Sequence, residues 1–112
     1  MALVQYTLDR KAYVASHTYG PVLMTQTIAA GADLVAGTIL GRVTATGKLK
    51  AYDPAATDGS ETPVAVLLED AAAASADVEA VVGFAGVYVE ANMTGLDASA
   101  KSTLEARGIY FV

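Results

Sequence analysis

A small, mainly β domain with one short helix near its C-terminal end is the fold class this sequence predicts. Three observations predict it. Apolar and polar residues alternate with period two in several short runs, glycine and proline interrupt those runs, and one segment alone carries helix start and stop signals. At 112 residues the chain holds one domain's worth of sequence. Apolar residues reach 54%, but alanine supplies 23 of them and buries little area, so the core is modest and gains from oligomerisation.

The elements follow in order. In the first segment Val4, Tyr6 and Leu8 point one way and Gln5, Thr7 and Asp9 the other, as in a half-buried strand. Arg10 and Lys11 interrupt the pattern, and Tyr19-Gly20-Pro21 breaks the chain, because proline donates no ladder hydrogen bond. Residues 1–21 therefore read as an extended N-terminal arm and residues 22–112 as a single β-rich domain. Val22 to Ile28, rich in Val, Ile and Thr, is a strand, and Ala29 to Asp33 a turn. Leu34 to Thr46 is apolar but punctuated by glycine, a sign of bulges or close backbone approach. Lys48 to Tyr52 alternates, with Leu49 and Ala51 inward and Lys48, Lys50 and Tyr52 outward.

Asp53 to Pro63 carries the strongest loop signal, with Asp-Pro and Asp-Gly-Ser inside it. Val64 to Leu68 is a continuous apolar run, expected of a strand covered on both faces. Glu69 to Ala76 reads as one helical turn or an ordered loop, and Val78 to Val89 as a long strand kinked at Gly83 and Gly86. The helix spans Ala98 to Arg107, with Asp97 or Ser99 as cap, capping-box spacing from Ser102 to Glu105, and Gly108 at the left-handed C-terminal position. Ile109 to Val112 is a terminal strand, for six or seven short strands in all.

Composition excludes several function classes. Seven basic residues against twelve acidic leave a net charge of −5, which opposes a nucleic-acid groove. No apolar run approaches the length of a membrane span, and the opening MALVQYTLDRK shows no signal peptide. Cysteine is absent, so disulfides and thiolate chemistry are excluded.

Candidate chemistry is sparse. His17 is the single histidine and lacks an evident nucleophile and orienting group. Asp53, Asp58 and Glu61 offer hard oxygen ligands for calcium, but not in an EF-hand order, and turns use the same residues. Asp77 and Glu79 are a possible carboxylate pair, or simply two solvated strand positions. Lys48 and Lys50 are too few for a nucleic-acid patch, and the glycines at 37, 41 and 47 lack phosphate-loop spacing. The expectation is no enzyme, no cofactor and no metal. A hydrolase using loop carboxylates has the weakest support, since no pair of groups is visibly tuned apart.

Gly47-Lys48-Leu49-Lys50-Ala51-Tyr52-Asp53, then Thr57-Asp58-Gly59, then Pro63 to Leu68, resembles the lambda-type bacteriophage head decoration proteins, the capsid-stabilising protein D-like family. Ala36 to Val43 and the helix followed by Gly108 to Val112 are similar as well, so the resemblance covers about Gly31 to Val112. It implies a small clip-like β domain without enzymatic activity or cofactor. It implies a homotrimer on the outer capsid surface of the virion, at three-fold or quasi-three-fold positions of the expanded head, made in the host cytoplasm. Its partner there is the phage major capsid protein, with no nucleic acid and no membrane, and its N-terminal arm orders by pairing with capsid strands. The first thirty residues match no motif of the family.

The arm suits that role physically. Ordering it costs about 1–2 kcal/mol of backbone entropy per residue. Leu3, Val4, Tyr6, Leu8, Tyr13, Val14 and Tyr19 offset this only when something buries them. A foreign sheet edge beside an apolar groove does so by β-augmentation. The alternative is that Val4 to Leu8 pairs with an edge of its own domain. Val87, Tyr88, Tyr110 and Phe111 are candidates for the trimer interface, with a core role open for each. A competing reading is a small β-domain module that binds a ligand or carbohydrate without catalysis, using the Asp53 to Glu61 loop.

Overall fold

A computed structural model describes residues 22–112. Of these residues 45% are in strands and 12% are helical, so the domain is mainly β. The β-branched run after Pro21 forms β1 (Val22–Ile28), followed by β2 (Ala32–Leu34), β3 (Ile39–Arg42) and β4 (Leu49–Ala51). After the long loop come β5 (Pro63–Leu67), β6 (Ala71–Ala73) and β7 (Val78–Tyr88). A 3-10 turn (Glu90–Asn92), helix α1 (Ala98–Glu105) and β8 (Ile109–Phe111) complete the chain.

Strands β1, β4, β3, β5 and β7 pair in that order, and β7 returns to β1, closing a barrel-like sheet. The closing ladder is antiparallel and long, from Val22 opposite Ala85 to Ile28 opposite Val78. Strand β8 lies parallel to the last residues of β7, with Val87 opposite Tyr110. Strands β2 and β6 form a separate antiparallel pair.

Among the described residues two apolar clusters hold the domain. Ile28, Leu40, Leu49, Ala65, Leu67 and Val82 belong to the first, with Phe84 and Val64 packed on it. Ile39, Val66, Leu104 and Ile109 form the second, joining the sheet to α1 and β8. Strand β5 therefore sends Leu67 into one cluster and Val66 into the other, and its apolar run is covered on both faces as expected. Where the loop crosses β3, a Cβ on Gly41 would lie 2.5 Å from the carbonyl oxygen of Ser60, so this crossing needs glycine.

Helix α1 starts at Ala98 as the sequence predicts and ends two residues earlier than expected, at Glu105. Asp97 is the cap, its Oδ1 accepting the N–H of Ala100 at 2.7 Å, while Ser99 and the Ser102–Glu105 pair lie inside the helix. Gly108 takes φ of 93°, the left-handed geometry that follows a helix end.

Three expectations need correction. Ala71–Ala73 is a strand rather than a helical turn or loop, because it pairs with Ala32–Leu34. That pairing also starts strand structure inside the expected Ala29 to Asp33 turn, and brings the described strands to eight. Tyr52 is half-buried rather than fully outward: its ring packs against the second cluster on that side of the sheet, while its hydroxyl reaches Asp97.

Candidate functional site

The Asp53–Pro63 loop spends its carboxylates on its own geometry. Asp53 Oδ1 accepts the N–H of Ala55 at 2.9 Å, and Glu61 Oε1 accepts that of Gly59 at 2.8 Å. Asp58 Oδ1 accepts the hydroxyl and the N–H of Ser60 at 2.6 and 3.0 Å, and Lys50 Nζ donates to its Oδ2 at 3.1 Å. The Ser60 hydroxyl, the Ser60 N–H and then the Lys50 ammonium hold Asp58 far below the usual carboxylate range. These are turn-closing bonds, and among the described residues no set of His, Asp and Glu side chains converges to hold a metal ion.

Asp77 and Glu79 do not act as a pair. Asp77 accepts from Lys48 and from the N–H of Ala30 at 2.8 Å, which lowers its pKa, while Glu79 is exposed on β7. Lys48 and Lys50 are thus both neutralised by ion pairs. Beside them, Leu34, Val43 and small residues around Gly31 line a cavity of about 440 Å³. A second concavity, of about 500 Å³, lies beside Gly59 and Glu61 and is lined by Arg42, Phe84 and Arg107.

The surface also carries large apolar side chains. On the ribbon formed by β7 and β8, Val87, Val89, Tyr110 and Val112 are between 46% and 76% exposed. The residues between them turn the other way: Tyr88 and Phe111 pack against the second cluster, their ring centroids 6.5 Å apart. Of the four residues singled out from sequence, Val87 and Tyr110 thus lie on the surface, whereas Tyr88 and Phe111 are partly buried against the core. Alternation with Val87 and Tyr110 would also have found Val89 and Val112.

A second apolar group, Val22, Leu23 and Met24, is about half exposed at the start of β1. Three consecutive exposed residues mean that both faces of this strand end meet solvent. β4 touches β1 only at Ile28, so the opposite edge from Val22 onward has no ladder partner among the described residues. The sequence pattern of β1 carries no sign of this exposure. Both groups sit at the same end of β7, because Val22 faces Ala85, two residues before Val87.

The arm residues Leu3, Val4, Tyr6, Leu8, Tyr13, Val14 and Tyr19, and His17, lie outside the described residues. Comparison with known families bears on them. A family model for the bacteriophage lambda head decoration protein D matches residues 14–109. The chain belongs to that decoration-protein family. The match begins well upstream of the resemblance at Gly31 and takes in Val14 and Tyr19. The decoration family is structural rather than catalytic, and membership supports a phage capsid decoration role in the virion. No curated protein matches the chain.

Proposed function

We propose that this decoration protein is a homotrimer that binds the outside of an expanded phage head at three-fold or quasi-three-fold sites and cements neighbouring major capsid subunits. The family match over residues 14–109 carries this reading. Two features of the domain support it. The apolar stripe Val87, Val89, Tyr110 and Val112 is a surface that a neighbouring copy would bury in a ring. The arm, residues 1–21, joins the domain at Val22, where exposed apolar side chains lie beside a strand edge that has no ladder partner among the described residues. A capsid strand added along that segment is β-augmentation, and three arms on one trimer multiply weak contacts into firm attachment.

The ligand-binding alternative keeps a concavity beside Gly59 and Glu61 of its loop, but the carboxylates of that loop already close turns. The test is co-sedimentation of the purified protein with the expanded and unexpanded heads of its own phage, with the solution mass measured in parallel. A trimer that pellets with expanded heads alone is expected. A monomer, or a protein left in the supernatant with expanded heads, overturns the proposal.

A further inference from the structure

The acidic character of this protein hides a small site of opposite sign. Among the described residues every lysine is paired with a carboxylate: Lys48 with Asp77, Lys50 with Asp58 and Lys101 with Glu90. The two described arginines are not in any of these ion pairs, and both line the same concavity of about 500 Å³. They come from distant places, Arg42 from the end of β3 and Arg107 from just beyond α1.

Arg42 is held in place. Its Nη1 donates to the carbonyl of Gly47 at 2.7 Å, and its guanidinium lies 5.8 Å from the centroid of the Phe84 ring. That leaves further donors of its planar fork to point elsewhere. Glu61 also borders the concavity, its Oε1 accepting the N–H of Gly59, and its one negative charge against two guanidiniums leaves the lining net positive. Phe84 and Val64 add an apolar wall beside the two cations.

We infer that this concavity receives a carboxylate side chain of a capsid-protein segment, held between Arg42 and Arg107, with an adjoining apolar residue against Phe84. Guanidinium groups match a carboxylate in geometry, and the wall suits a neighbouring aliphatic group. The overall charge of −5 repels polyanions, so a single carboxylate presented by a protein fits better than a nucleic-acid backbone. The inference rests on the decoration reading, and it adds a contact made by the folded domain to the one assigned to the arm.

The test uses the full chain and purified expanded heads, with affinity measured across a salt series. Arg107→Gln is expected to weaken head binding about tenfold at low salt, because a small loss per site is repeated in each copy of the trimer. The difference is expected to vanish by about 0.5 M salt, where exposed charges are screened. Arg42→Lys, which keeps the charge and loses the fork, is expected to give a smaller loss of the same kind. Lys101→Gln removes the same charge elsewhere and is expected to bind like the parent. Circular dichroism melts confirm that each variant is folded. Parent-like binding by Arg107→Gln and Arg42→Lys, or equal weakening by Lys101→Gln, overturns the inference and leaves the decoration reading standing. Failure of the parent protein to bind heads overturns both.

Discussion

Asp97 and Tyr52 are joined through one carboxylate that also starts the helix. Tyr52 donates its hydroxyl to Asp97 Oδ2 at 3.1 Å, while Asp97 Oδ1 accepts from Ala100 N–H. The bond ties the end of the β4 segment to α1 across 45 positions of sequence. Asp97→Ala removes a cap and the Tyr52 partner together and is expected to cost about 1–2 kcal/mol by denaturant unfolding. Asp97→Asn keeps an acceptor and is expected to lose less. Equal stability of Asp97→Ala and the parent would show that the pairing contributes nothing.

The same pairing sets an alkaline limit. Burial, then the bond to Asp97 and its negative charge, push the Tyr52 hydroxyl above its ordinary value of 10.0. The folded state therefore prefers the protonated phenol. That contribution is fully present below pH 10 and is lost as pH rises through the higher folded value. Ultraviolet titration is expected to show a late phenol that disappears in Tyr52→Phe and moves to lower pH in Asp97→Asn. A titration unchanged in Asp97→Asn would contradict the pairing.

Acid acts on Asp58 in the opposite sense. Its folded value lies far below 3.8, so its contribution is present above that pH and is lost as pH falls through the folded value. Unfolding midpoints measured from pH 7 downward are expected to fall steeply below about pH 4 in the parent and less steeply in Asp58→Asn. Identical profiles would show that the Ser60 and Lys50 bonds do not favour the ionised form.

Tyr88 folds back over its own strand. Its hydroxyl donates to the carbonyl of Ala85 at 2.9 Å, and its ring end occupies the space that a Cβ on Gly83 would need. Gly83→Ala is expected to destabilise the domain by about 1–3 kcal/mol through overpacking. Combining it with Tyr88→Leu should recover part of that loss, a coupling that a double-mutant cycle reads directly. Strict additivity of the two changes would mean that the ring is free to move away.

Val66 is fully buried against Ile39, Leu104 and Ile109. Val66→Asp places a lone charge there and is expected to abolish cooperative melting. Deleting residues 1–19, by contrast, is expected to leave a folded trimer that no longer pellets with expanded heads. Loss of folding on that deletion would make the arm part of the core.

The legible parts of this fold are those where side-chain chemistry changes along the chain. β1 has the predicted bounds, set between Pro21 and the Ala29-Ala30-Gly31 turn, and Asp97 marks the start of α1. The β2–β6 pair was illegible because Ala71, Ala72 and Ala73 alternate buried, exposed and buried with no change of residue type. Remote carboxylates fasten that pair: Asp33 accepts from the N–H of Ala74, and Asp70 from that of Ala36. The candidate interface was half legible, since alternation separates Val87 from Tyr88 but does not say which one faces out. The Arg42 and Arg107 concavity had no signal in sequence. Its distinctive property is that the described lysines are already paired while both described arginines line it, and only folding decides that.

The long ladder between β1 and β7 has a mechanical consequence. Residues 1–21 join the domain at the first rung, and seven residues of β1 are registered against β7 behind it. Tension drawn along the strand from Val22 loads those rungs in shear, all at once, instead of peeling them singly.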